Sequence, residues 1–93
     1  MIVIKKFGAS WCGPCKRYNP ILDRVSKERD DIAVIHIDVD EDKELASKYG
    51  VRGVPFTVLE REDGTPIVGF QGAQTYTELN KIIEIYKNEG KVQ

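Results

Sequence analysis

The sequence predicts one small α/β domain, β-α-β-α-β-β-α in chain order, with a four-stranded mixed sheet flanked by three helices. Three observations carry this. β-branched apolar runs alternate with amphipathic segments of helical period, and an Asp-Gly turn signal separates the last two runs. The length of 93 residues suits a single core. Helix crossovers between the first strands imply a parallel pair, and the terminal hairpin adds an antiparallel one.

The elements follow in order. Residues 2–7 are apolar and β-branched around Lys5 and Lys6 and run into Gly8, the mark of a strand ending at a loop. From Pro14 to about residue 29, Cys15, Tyr18, Leu22 and Val25 recur at helical spacing with Ile21 beside them, which predicts an amphipathic helix. Pro14 fits its first turn, where amides lack intrahelical acceptors. Pro20 falls inside the pattern, removes a hydrogen bond at a cost of about 3 kcal/mol and predicts a kink. Residues 32–39 form a second β-rich run, bounded by Asp30-Asp31 and by the acidic residues Asp38, Asp40, Glu41 and Asp42. A short helix follows, with Leu45, Ala46 and Tyr49 on one face, Glu44 and Lys48 spaced to pair at i,i+4, and Gly50 as its stop. The acidic run 38–44 is expected to cap and solvate that helix. Residues 56–60 and 66–70 flank Asp63-Gly64 and read as an antiparallel hairpin. Thr75 and Glu78 make a capping box, and Leu79, Ile82, Ile83 and Tyr86 form a helical stripe before Gly90. The tail 87–93 is expected to fray at its end.

Composition excludes several functions. Fourteen Lys and Arg against fifteen Asp and Glu leave a formal net charge of -1, so no domain-wide basic field exists to hold nucleic acid. The longest apolar stretches are a few residues, far short of the ~20 a membrane span needs. The first residues place apolar side chains before basic ones, the wrong order for a secretory signal, so a cytoplasmic protein is expected. Two cysteines are too few for the framework of a small secreted domain, and both fall in Trp11-Cys12-Gly13-Pro14-Cys15. Closing so short a loop stabilises by only about 2 kcal/mol, against nearly 5 for a long one, so stapling explains the pair poorly. Zinc takes four ligands, and two cysteines with one histidine fall short, so no metal site is expected.

The pair makes sense as chemistry. A thiolate, not a thiol, attacks disulfides, and Cys12 at the start of a helix faces unpaired amides and the positive end of the helix dipole, which favour the anion. Cys15 lies almost one turn on, within reach to resolve a mixed disulfide on Cys12 faster than a solution thiol. Trp11, beside a reactive cysteine, is better placed for docking than for packing.

The run Trp11-Cys12-Gly13-Pro14-Cys15-Lys16 resembles the active-site sequence of thioredoxins. Pro20-Ile21-Leu22-Asp23, the segment Lys48-Tyr49-Gly50-Val51-Arg52-Gly53-Val54-Pro55, Gly64 and Gly72-Ala73 extend the resemblance over nearly the whole chain, in the right order. It implies a thioredoxin-like fold and a thiol-disulfide oxidoreductase that reduces protein disulfides, with Cys12 as nucleophile and Cys15 as resolving thiol. It implies a redox-active disulfide in place of any cofactor. Pro55 becomes the cis-proline facing the cysteines, and Val54 before it offers its backbone to an extended substrate segment. Trp11, Gly53, Val54, Pro55, Gly72 and Ala73 form the docking surface, with Gly13 and Pro14 between the cysteines. Eleven residues precede Cys12, where thioredoxins have a further strand and helix, so a minimal version of the fold is expected.

Departures from the family pattern mark further residues. Thioredoxins usually carry a buried aspartate six residues before the first cysteine, assisting proton transfer at the resolving thiol, and here that residue is Lys6. Two expectations compete for it: an ammonium that lowers the thiol pKa values, or a side chain that snorkels outward. His36 falls where the family often has a buried lysine, so it is a second candidate pKa modulator, although a partly buried strand residue is the plainer reading. Gly8 replaces a second tryptophan, Ser10 precedes Trp11, and Phe56 follows Pro55 where threonine is common.

Three functions are distinguished. The leading one is a thioredoxin-like reductase of cytosolic protein disulfides, expected as a monomer and recharged by a reductase drawing on NADPH or ferredoxin. The alternatives are a glutaredoxin-like enzyme using glutathione, and an interaction module whose redox pair is secondary.

Overall fold

The structure is a computed structural model and describes residues 1–88. Strands β1 (Ile2–Gly8), β2 (Ile32–Asp38), β3 (Phe56–Arg61) and β4 (Pro66–Gln71) alternate with helices α1 (Gly13–Glu28), α2 (Lys43–Lys48) and α3 (Tyr76–Tyr86) in the predicted order. The stop expected at Gly90 and the end of the tail lie outside the described residues.

The sheet runs β2-β1-β3-β4. β1 pairs in parallel with β2, from Ile2 opposite Ile32 to Gly8 opposite Asp38, and antiparallel with β3, which pairs antiparallel with β4. Side chains alternate across a strand, so β1 divides its residues between two cores. Ile2 and Ile4 join Leu59 of β3, Tyr18, Leu22 and Val25 of α1, and Leu79 and Ile83 of α3. Phe7 faces the other way and packs with Val58 and with Ala46 of α2. Each large side chain so buried contributes about 1.5–3 kcal/mol.

Local signals bound α2 and start α3 as expected. Asp42 caps α2, its carboxylate accepting the Leu45 amide at 3.1 Å, and Gly50 takes φ +67° just beyond its end, where a side chain would be strained. Thr75 accepts the Glu78 amide at 3.0 Å while the Glu78 carboxylate accepts the Thr75 amide at 2.9 Å, completing the capping box. α1 continues as one helix through Pro20. The expected pairing of Glu44 with Lys48 does not form. On so short a helix both side chains stay exposed, where such a pair stabilises by a few tenths of a kcal/mol at most.

Among the described residues three polar or charged ones are nevertheless buried, Lys6, Thr57 and Glu60. Glu60 pairs with Lys5 at 3.1 Å and accepts a hydrogen bond from the Tyr49 hydroxyl, which itself accepts from Lys5 at 2.9 Å. The Tyr49 contact, followed by Glu60, holds the Lys5 ammonium above its ordinary pKa against the opposing effect of burial. Thr57 shares a 2.9 Å hydrogen bond with Tyr18, whose hydroxyl burial pushes up to about 12.

This last pair makes stability pH-dependent. The unfolded phenol ionises near 10 and the folded one near 12, so stability present below pH 10 is lost as pH rises through that window. Tyr18→Phe strands the Thr57 hydroxyl and should cost about 1–3 kcal/mol at neutral pH. The variant should also lose less stability than wild type between pH 10 and 12, as read by urea denaturation at each pH.

Candidate active site

The site starts where β1 stops. Gly8 accepts the Val39 amide at 2.9 Å, fixing the end of β1 against the end of β2, and the chain turns so that Cys12 donates its amide to Ala9 at 3.1 Å. Cys12 is extended, with φ -89° and ψ 108°, and caps α1, with Pro14 in the first turn. Its sulfur accepts the Cys15 amide at 3.2 Å. This is the donor a Cys12 thiolate needs, added to the helix dipole.

Cys12 and Cys15 form a disulfide with Cα atoms 5.3 Å apart. Both sulfurs belong to a small apolar cluster with Ala9, against which Val39 and Val54 pack. The Val54–Pro55 bond is cis. Pro55 is buried, and its carbonyl accepts the Gly72 amide at 2.8 Å, with Gly72 at φ +99°. Three loops thus meet in a chain of contacts: the cysteine turn touches Val54, and the Pro55 loop is bonded to the one carrying Gly72 and Ala73. A Cβ on Gly53 would meet the Gln71 side-chain amide at 2.5 Å, so Gln71 lies over that loop. Gly13 and Pro14 are exposed beside the buried sulfurs, and a Cβ at Gly13 would meet nothing within 4 Å.

Trp11 is 68% exposed and its indole N–H donates to Asp40 at 2.8 Å. That corrects one reading of the acidic run. Asp42 caps α2, but Asp40 instead holds the tryptophan, and Asp38 accepts the Asp40 amide at 2.8 Å to set the turn. No pattern in the sequence links position 40 to position 11, since the contact depends on how β1 and β2 end side by side.

The two candidate pKa modulators separate. Lys6 is buried at 4% exposure, and it lines a groove with Asp38 and His36. Burial pushes its pKa below the ordinary value, opposed by the charges of Asp38 and Asp23. His36 is exposed instead of partly buried, and its ring contacts Asp23 at 2.9 Å. Position 36 pairs in register with Lys6, but β2 is an edge strand and its side chain reaches outward to α1. Asn19, which sequence reading passed over, has its side-chain oxygen buried with no partner. Among the described residues no three His, Cys, Asp or Glu are grouped to hold a metal ion, and no helix is long and apolar enough to cross a membrane.

Comparison with known proteins agrees with this geometry. The thioredoxin family model matches residues 1–85. The chain is 42% identical over 82 residues to a thioredoxin of Bacillus subtilis (strain 168), covering 84% of this chain and 78% of that protein. It is 47% identical over 85 residues to a thioredoxin of Rickettsia typhi (strain ATCC VR-144 / Wilmington), covering 87% and 81%. A mutant thioredoxin from Halobacterium salinarum NRC-1 superposes with a TM-score of 0.83 at 44% identity, covering 91% of this chain and 74% of that one. With a helix-capping cysteine, its disulfide partner one turn on and Val54 of the cis-proline loop packed against their cluster, the chain belongs to the thioredoxin family of thiol-disulfide oxidoreductases.

Proposed function

We propose that this protein-disulfide reductase acts on cytosolic proteins through a Cys12 nucleophile and a Cys15 resolving thiol. The observation that carries the assignment is the Cys15 amide aimed at the Cys12 sulfur at the head of α1. In the reduced protein the Cys12 thiolate attacks one sulfur of a substrate disulfide, forming a mixed disulfide and expelling the other substrate sulfur as a thiolate. Cys15 then attacks the Cys12 sulfur. The Cys12–substrate bond breaks, its electron pair leaves on the substrate, and the Cys12–Cys15 disulfide remains. Two electrons have moved to the substrate, with no metal or organic cofactor called on.

Substrate docks on the apolar surface around the disulfide. Exposed Trp11, held by Asp40, is the large aromatic contact, and Gly13 and Pro14 leave the approach to Cys12 low. The Val54 backbone, next to buried Pro55, pairs with an extended substrate segment, and Gly53, Gly72 and Ala73 border it without bulk. A near-neutral chain suits docking by apolar and backbone contacts over long-range steering. In this reading the protein works as a cytoplasmic monomer in electron transport and redox homeostasis, recharged by a reductase fed by NADPH or ferredoxin.

Two experiments test the proposal. Cys15→Ser should accumulate a covalent adduct with a disulfide-bonded protein substrate at Cys12, seen as a mass shift lost on adding dithiothreitol. Adducts found only on Cys15 of a Cys12→Ser variant would reverse the roles. Turnover of the same substrate should be faster with NADPH and a thioredoxin reductase than with glutathione at equal electron supply. The opposite ranking would select the glutathione-dependent alternative.

A further inference from the structure

β1 places Lys6 on the face that carries Ile2 and Ile4, toward α1. Unlike Lys5, it makes no hydrogen bond or ion pair among the described residues. Gly8 shows where its ammonium lies. A Cβ at Gly8 would overlap the Lys6 Nζ, fall 2.9 Å from its Cε and lie 3.2 Å from the Cys15 Sγ. The lysine head and the second sulfur therefore border one space, which glycine leaves open. Lys6 and Gly8 also line a groove of about 570 Å³ that meets Lys16, Asn19, His36 and Asp38.

We propose that Lys6 serves Cys15: its ammonium pairs with the Cys15 thiolate, so the resolving thiol ionises at lower pH and substrate release is accelerated. The proposal rests on the assignment of Cys15 as the resolving thiol. In the oxidised protein the Cys15 sulfur is neutral, and among the described residues the ammonium lacks a counter-ion in contact with it. Reduction followed by ionisation supplies one. The Cys15 proton passes to solvent, the sulfur attacks Cys12, and the departing substrate thiolate takes a proton from solvent, with Lys6 protonated throughout.

The surrounding charges are consistent with a retained ammonium. Asp38 of β2 and Asp23 of α1 both favour the charged form and oppose the effect of burial. His36 of β2 contacts Asp23, while Lys16 of α1 and Glu41 after β2 line the exposed part of the groove. On the side of β3, Thr57 stands in register with Lys6 and is hydrogen-bonded to Tyr18, whose raised pKa keeps it neutral. The two sulfurs thus have separate anion stabilisers, the Cys15 amide for Cys12 and the Lys6 ammonium for Cys15.

The first test uses the unaltered chain. Titration of the Lys6 ammonium by NMR should give a higher pKa in the reduced than in the oxidised protein, because only the reduced form offers a thiolate partner. Identical titrations would overturn the proposal. The measurement needs no substrate, so its outcome stands apart from adduct trapping on Cys12. In Lys6→Met, with folding checked by circular dichroism, the Cys15 pKa should rise by about one unit. Release of the mixed disulfide at pH 7 should slow about tenfold, with its pH profile moved upward. Alkylation of Cys12 in a Cys15→Ser background should keep its wild-type pH profile when Lys6→Met is added. Equal displacement of the Cys12 and Cys15 titrations, or an unmoved release profile, would overturn the assignment to Cys15.

Discussion

The rest of the site depends on the central position of β1. A strand hydrogen-bonded on both sides cannot shift along its axis without breaking two ladders, and β1 is held by β2 and β3 over nearly its whole length. Its last residue is fixed once more by the Val39 amide on the Gly8 carbonyl. The chain must then enter α1 within four residues, so Cys12 becomes the cap and Cys15 the first inward-facing side chain of the helix. Position and chemistry have one cause here. The same amides that lack intrahelical partners at the start of α1 are those that favour an anion on Cys12.

That constraint explains which parts were legible in the sequence. Regular elements follow from period-two and period-3.6 patterning together with local caps, so all seven appeared in order, and the Thr75–Glu78 box marked the start of α3 without tertiary information. The cysteine pair was legible because its spacing carries its own chemistry. The loops carrying Val54-Pro55 and Gly72 were singled out only through resemblance, since neither the cis form of the Val54 bond nor the approach of Gly72 to Pro55 has a local signature in residue type. Asp40 was read as helix solvation because the acidic run is uniform in sequence. The structure distributes that run among a turn, an indole partner and a cap, according to which backbone groups the ends of β1 and β2 leave open. Lys6 had the opposite problem. Lysine is so rarely buried that an outward side chain competed with a role at the thiols, and the structure puts Lys6 in alternation with Ile2 and Ile4 on the core face.

The adjacent lysines of β1 show how one physical rule gives two different outcomes. Strand alternation sends Lys5 and Lys6 to opposite faces of the sheet. On the α2 face, Lys5 finds Glu60 and Tyr49, and the partly buried cluster satisfies itself, at little net gain because desolvation offsets much of the attraction. On the α1 face, Lys6 finds apolar neighbours, distant carboxylates and a disulfide. An ammonium with no hydrogen-bond or ion-pair partner among the described residues loses hydration on folding with no protein contact to offset it. Folding alone gives no reason to keep it there, since a methionine of similar length would continue the Ile2 and Ile4 face without that cost. The conflict between local rule and global fold sits beside the Cys12–Cys15 disulfide, where such conflicts are expected to be functional. Gly8 belongs to the same arrangement: a larger residue at that position would push the ammonium away from Cys15, so the lysine and the glycine form one structural unit two residues apart on one face of β1.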